Sequence, residues 1–165
     1  MASAMTALAT ITLGSSAATV TFGSIPATYR DLRIIVNGGA TASSDQMRIR
    51  INGDSTASYW WVNMRGTGSA AQSSAVGAAQ TSSILDLFGN GLGTTLNGQY
   101  IVDLLDYSAT DKHKSFLCRA DDATQGSHAI AGRWTSTSAI TSIQLYDSGT
   151  TFLAGSVFSL YGISA

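Results

Sequence analysis

Apolar and polar residues alternate with a period of two along almost the whole chain, and no stretch carries the 3.6-residue apolar stripe of an amphipathic helix. Leu32, Ile34 and Val36 alternate with Arg33, Ile35 and Asn37, and Met47, Ile49 and Ile51 alternate with Arg48, Arg50 and Asn52. The same rhythm predicts strands at 8–13, 19–22, 59–65, 83–88, 100–107, 115–121, 128–135, 140–147 and 157–163. Asn37-Gly38-Gly39, Asn52-Gly53-Asp54, Asn97-Gly98 and Asp147-Ser148-Gly149 separate them with residues that tolerate positive φ, the chemistry of tight β connections. Many short strands with such turns between them predict one all-β domain over 1–165, a β-sandwich with jelly-roll connectivity, with a barrel as the alternative. The closing run 152–163 ends two residues before the last residue, which predicts a domain completed by its own final strand.

Two segments break the rhythm. The stretch 66–80 is rich in Ala, Ser and Gly, too poor in large apolar residues for a core element and too long for a hairpin turn, so it reads as a projecting loop. Residues 1–10 are small and weakly apolar and read as an arm able to lie along a neighbouring subunit, or as a plain surface segment. Between these lies Tyr59-Trp60-Trp61. Adjacent strand residues face opposite ways, so one indole belongs to the core and the other points outward, toward a sister subunit, a lattice or a sugar ring, unless it lies flat beneath its own 66–80 loop. Trp60, Trp61 and nearby Arg65 are therefore candidate partner contacts. Arg48 and Arg50 share the solvent side of their strand and are candidates for reading an acidic patch, against the plainer reading of a solvated face.

Composition narrows the class further. Charged residues make up 12% of the 165, and all ten carboxylate side chains are Asp. An ordinary domain carries roughly 25% charge, so much of this surface consists of hydroxyl, amide and small apolar groups that a partner dries easily. That favours a subunit of an assembly. The net charge is −1 with scattered Lys and Arg, which leaves no nucleic-acid footprint. No run approaches membrane-spanning length, and the first ten residues lack the basic and apolar regions of a signal peptide. The chain thus reads as soluble and made inside the cell. One cysteine, Cys118, cannot close an internal disulfide and alternates with Phe116 and Ala120 as a core residue.

Catalytic constellations are not apparent. His113 sits in a polar loop and His128 opens a strand, and neither has a metalloprotease partner or a nucleophile elbow. Asp103, Asp106, Asp111, Asp121 and Asp122 could offer oxygen ligands to calcium, but the glycine-punctuated spacing of a dedicated loop is missing. Gly89-Asn90-Gly91-Leu92-Gly93 looks superficially like a phosphate cradle without the βα unit that would support one. The chain is accordingly expected to have no catalytic residue, no metal and no cofactor.

An ordered set of segments carries a resemblance. Ile11-Thr12-Leu13-Gly14-Ser15, Val20-Thr21-Phe22, the run from Ser24 to Leu32, and Ile51-Asn52-Gly53-Asp54 followed by Tyr59 mark the first half. Leu105-Asp106-Tyr107-Ser108, Lys112 and Lys114, Gly132-Arg133-Trp134, Ala139 to Ile143 and Gly155 to Ile163 mark the second. Together they resemble a widespread group of tailed-bacteriophage virion proteins. The resemblance spans nearly the whole chain and lies in the order, since no single segment is diagnostic. It implies a β-sandwich structural component of the particle, made in the host cytoplasm and carried in the virion, and leaves head and tail open. Pro26 is expected to end the second strand, Asn52-Gly53-Asp54 to make a hairpin turn, Trp134 and Phe158 to fill the core, and Tyr161 to sit at the sandwich edge. Because a fibre shaft is not evident, the preferred expectation is a capsid decoration or cement protein on the head exterior, a homotrimer binding the major capsid protein through several weak patches. The alternative is a receptor-binding tip recognising a host glycan. A glycan-cleaving enzyme, which would need a carboxylate pair in a cleft, ranks last.

Overall fold

A computed structural model describes residues 4–42, 46–86, 92–122 and 126–164. Twelve strands and no helix occur among the described residues: β1 (Met5–Thr12), β2 (Thr19–Phe22), β3 (Asp31–Gly38), β4 (Met47–Ile51), β5 (Tyr59–Gly66), β6 (Ala71–Ala75), β7 (Ser83–Ile84), β8 (Gly98–Leu104), β9 (Lys114–Asp122), β10 (Gly126–Trp134), β11 (Ile143–Asp147) and β12 (Val157–Ile163). They form two antiparallel sheets, an eight-stranded one ordered β1-β12-β3-β8-β9-β10-β5-β6 and a four-stranded one ordered β2-β11-β4-β7. The alternation read from the sequence is the reason for both. Leu32, Ile34 and Val36 of β3 and Met47, Ile49 and Ile51 of β4 are fully buried between the sheets, while their odd-numbered or even-numbered neighbours face out.

The connectivity is that of a jelly roll with additions. β1-β12-β3-β8 and β2-β11-β4-β7 are two four-stranded runs in which strands from the start and end of the chain interleave. Two hairpins are inserted into this roll. β5–β6 lies between β4 and β7 in the chain, and β9–β10 lies between β8 and β11. Both add to the same edge, β9 pairing with β8 and β5 with β10, so one sheet becomes twice as wide as the other.

Several expectations need correction. The 66–80 stretch is not a plain loop, because Ala71–Ala75 pairs with Val62 to Gly66 as edge strand β6. Thr67 donates its backbone N–H to Ala70 O across the turn, and Gly68 takes φ 83°. Small side chains gave no apolar signal there because the strand is exposed on both faces and is held by backbone bonds. Residues 5–10 are not a free arm either; they belong to β1, on the edge of the chain's own sheet against β12. Residues 1–3 lie outside the described residues. Asn52 and Gly53 do form the tight turn their composition suggests, with φ of 51° and 68° and Asp54 N–H bonded to Ile51 O. That turn carries the chain from one sheet to the other and closes no hairpin. The strand expected at 83–88 stops at Ile84, and its end at Phe88 lies outside the described residues. Tyr161 faces outward from β12, which lies between β1 and β3 and not at an edge.

The crossover after that turn is organised by Asp54. Its carboxylate accepts hydrogen bonds from Thr56 N (2.8 Å), Thr56 Oγ1 (2.6 Å), Ser58 Oγ (2.6 Å) and the indole Nε1 of Trp134 on β10 (2.6 Å). Burial alone would raise its pKa, but the donors from Ser58, Thr56 and Trp134 outweigh it and hold the carboxyl well below its ordinary value. Close by, Tyr59 Oη accepts from Ile51 N (2.8 Å) and donates to Asp54 O (3.1 Å). Gly132 makes room for the ring of Phe116, since a Cβ there would fall 2.0 Å from its Cζ. Lys114 is buried, with Nζ bonded to Lys112 O (2.9 Å) and Thr137 O (3.2 Å), and desolvation lowers its pKa. Cys118 is buried as expected, donating to Leu85 O (3.3 Å), with burial pushing the thiol pKa up.

A second buried carboxyl behaves in the opposite sense. Asp86 is fully buried, and although Tyr100 Oη (2.7 Å) and Met47 N (3.1 Å) donate to its Oδ2, desolvation pushes its pKa up to about 7. Between the ordinary value of 3.8 and about 7 the folded chain holds a proton that the unfolded chain has released, so stability falls as pH rises through that window. Asp86→Asn keeps both accepted bonds and should flatten this slope, its urea midpoint gaining on wild type between pH 5 and pH 8; an unchanged slope refutes the assignment. Asp54→Ala leaves Trp134 and Ser58 without their acceptor and should cost about 2–3 kcal/mol at pH 7, measured by denaturant unfolding. Because its pKa is depressed, that loss should fade only below the ordinary carboxylate value, as the native carboxyl is itself protonated.

Candidate functional site

Doubling one sheet leaves its outer face as a broad open surface, and the strand registers give its pattern in rows. One row is polar: Asn37, Gln99, Asp121 and Ser127, all exposed. The next runs Ile35, Ile101, Arg119, Ala129, Met64 and Ser73 across β3, β8, β9, β10, β5 and β6. The third runs Arg33, Asp103, Leu117, Ala131, Val62 and Ala75. A trough of about 770 Å³ follows the first two rows, and a smaller hollow of about 290 Å³ lies beside it over Leu117, Ala131 and Val62. Both volumes are of the order that holds a ligand or an inserted side chain.

The chemistry of this face is largely apolar at its centre. Met64 is 62% exposed, Leu117 54% and Val62 47%, two large apolar side chains on β5 and one on β9, with Ala129 and Ala131 of the intervening β10 between them. Arg33 and Asp103 are spent on each other through a bidentate pair, Nε to Oδ1 at 2.6 Å and Nη2 to Oδ2 at 3.0 Å. Arg119, Asp121, Asn37, Gln99 and Ser127 are exposed and, among the described residues, bonded to no other side chain. Among the described residues no group of three or more His, Cys or Asp stands close enough to hold a metal ion.

The five contact residues expected from the sequence do not form one site. Trp60 faces outward from β5, opposite Arg133, at the end of the apolar rows. Trp61 faces inward and packs against the core. Arg65 shares the inner side of β5 with Trp61, opposite His128, and reaches the rim of the trough. Arg48 and Arg50 lie on the opposite side of the molecule, on the outer face of the four-stranded sheet. His113 is exposed in its loop, whereas His128 is buried on the inner face of β10. The Gly89 to Gly91 part of the glycine-rich run lies outside the described residues.

Val62, Leu117, Ile101 and Arg119 went unrecognised in the sequence. The usable signal was two-sided apolarity. In 59–65 both alternating sets, Tyr59-Trp61 and Trp60-Val62-Met64, are apolar, and Leu117 interrupts the polar side of 115–121 in the same way. A half-buried strand needs only one apolar face, so the second one marks a candidate contact surface.

No family model and no curated protein matches this chain. Among solved structures it is similar to a galectin of Caenorhabditis elegans, with 10% identity over 94% of this chain and 96% of that one and a TM-score of 0.37. The toad ovary galectin in complex with thio-digalactose matches at 8% identity over 87% of this chain and 98% of that one, TM-score 0.38. A GH43 protein of Bacillus licheniformis matches at 10% identity over 88% of this chain, TM-score 0.38, and the chain spans only 32% of its length. Likeness at this level transfers no activity and no ligand, and the β-sandwich class stands on the chain's own strand order.

The two indoles should separate by experiment. Trp61→Ala removes a ring packed against the core and should lower stability by about 2–3 kcal/mol, while Trp60→Ala on the outer face should change it by less than about 1 kcal/mol. Equal losses in the two denaturation midpoints would contradict the assignment of faces.

Proposed function

We propose that this protein is a structural component of a tailed-bacteriophage particle, a capsid decoration or cement protein that works by adhesion and performs no reaction. The observation that carries the adhesive part is the patch of exposed Val62, Met64 and Leu117, which spans two neighbouring rows of the widened sheet. Three large apolar side chains on a rigid surface keep water unfavourably ordered or crowded out until a second surface covers them. Burying an apolar area on the order of 300 Å² would contribute about 7 kcal/mol before the costs of association, enough for one weak patch of a multivalent subunit. The phage assignment rests on the ordered sequence resemblance. In this reading the partner is the major capsid protein, the subunit is a homotrimer, and its place is the head exterior.

One observation favours a second reading, a receptor-binding protein for a host glycan. The polar row offers Asn37, Gln99 and Asp121, and Arg119 stands in the row beside it, all without a side-chain partner among the described residues and all with the planar hydrogen-bonding groups that suit sugar hydroxyls.

The test is made on purified particles of a phage carrying this protein. Quantitative mass spectrometry should find it in many copies per head, and Leu117→Asp with Val62→Asp should lower its occupancy more than tenfold while the isolated domain keeps its melting temperature. A few copies at the tail, with binding to immobilised host polysaccharide that Arg119→Ala abolishes, would instead establish the glycan reading.

A further inference from the structure

The four-stranded sheet also has an outer face, and it carries charge where the widened sheet carries apolar groups. On β4, Arg48 and Arg50 alternate with fully buried Met47, Ile49 and Ile51, so both guanidinium groups project to the same side. Across the strand pair, Tyr146 of β11 stands opposite Arg48 and Gln144 opposite Arg50. Arg48 donates from Nη1 to Ser82 Oγ (3.3 Å) and from Nη2 to Gln46 Oε1 (2.8 Å). Arg50 donates from Nη1 to Gln144 Oε1 (3.4 Å) and from Nη2 to Tyr146 Oη (3.2 Å), with its Cζ 4.9 Å from the centre of the Tyr146 ring.

Every one of these acceptors is neutral. The ion pairs among the described residues are Arg30–Asp31, Arg33–Asp103 and Lys112–Asp106, so neither Arg48 nor Arg50 is neutralised by a contacting carboxylate. Asp86 and Asp147 belong to the buried, inner side; Asp86 acts on Arg48 through space without contacting it, and burial, which pushes its pKa up to about 7, weakens that opposing charge. The fold therefore holds two like charges side by side, oriented by hydrogen bonds that fix their forks without cancelling them. Each guanidinium has five N–H donors; these bonds use one on each Nη and each Nε is buried, so the remaining Nη donors are the ones a partner can take. Such an arrangement is preorganised for carboxylates, which take a guanidinium fork bidentately.

Spacing narrows the partner. Residues i and i+2 on a strand lie roughly 6.5–7 Å apart, and side chains at alternate positions of any extended segment repeat at the same distance. We infer that the outer face of the four-stranded sheet docks an extended acidic segment of a partner protein, whose carboxylates at alternate positions engage Arg48 and Arg50 together. Nucleic acid suits the face poorly, since two cations on a chain of net charge −1 neutralise too few phosphates. This face and the apolar trough lie on opposite sides of the sandwich, so one subunit can be held from both at once. The inference does not depend on the particle assigned above.

The probe is a synthetic Thr/Ser peptide with Asp at two alternate positions, titrated into the isotopically labelled full chain at low salt and followed through the arginine Nε–H signals by NMR. Saturable shifts should be confined to Arg48 and Arg50, and binding should weaken several-fold between about 50 and 300 mM salt. Arg48→Gln combined with Arg50→Gln, which can keep neutral hydrogen bonds to Gln46 and Gln144, should weaken it at least tenfold with an unchanged melting temperature. Three results would overturn the inference: no saturable shift, binding that survives in the double variant, or an equal response to a peptide with the two Asp adjacent or to inorganic phosphate. Loss of particle binding by Leu117→Asp leaves this result untouched, so the two readings fail separately.

Discussion

The carboxylate of Asp54 is the point on which the enlarged part of the molecule depends. The two inserted hairpins widen the sheet from four strands to eight, and while Tyr59, Phe116, Cys118, Ile130 and Trp134 bury their inner face in the core, the crossover that leads into them is fixed by polar bonds. Asp54 lies on the crossover from β4 to β5 and accepts the indole N–H of Trp134 at the end of β10, so one side chain ties both insertions to the roll. Its other donors, Thr56 and Ser58, fix the crossover itself. Tyr59 adds a second tie from the first residue of β5 to the last residue of β4. The bonds to Asp54 are short and made to an ionised acceptor, and those from Ser58 and Trp134 are partly shielded, the class of hydrogen bond that contributes most.

With the insertions anchored, the molecule has two dissimilar faces. One offers large apolar side chains at the centre of a broad, hollowed sheet, and the other offers paired guanidinium groups on the smaller one. Apolar contact supplies area-dependent attraction with little preference for partner, whereas fixed charges supply orientation and reject mismatched surfaces. Low overall charge makes the distinction sharper, because so few ionic groups compete elsewhere on the surface.

Strand positions were readable to the extent that each had one apolar and one polar face. β2, β3, β4, β9, β10 and β12 fall at or within two residues of the positions expected from alternation. β6 was hidden because an edge strand of Ala, Gln and Ser buries nothing, and backbone pairing leaves no trace in side-chain pattern. β7 was overestimated because Ile84 and Leu85 mark burial, and burial does not distinguish a strand from a packed turn. The Asn52-Gly53 turn was visible, but whether a turn joins partners in one sheet or leads to the other depends on long-range pairing that local residues do not encode. Candidate contacts suffered in the same way: Trp60, Trp61, Arg65, Arg48 and Arg50 are near in sequence and point to three different surroundings. Which side of a strand becomes the exterior of a doubled sheet is decided by the insertions.

Both inserted hairpins leave the roll and return to it within a single excursion of the chain. Lineages could therefore lengthen, shorten or exchange these excursions while the interleaved eight-strand scaffold stays intact. The widened face is in that sense a replaceable cassette, and divergence in what it grips should outpace divergence in the frame that carries it.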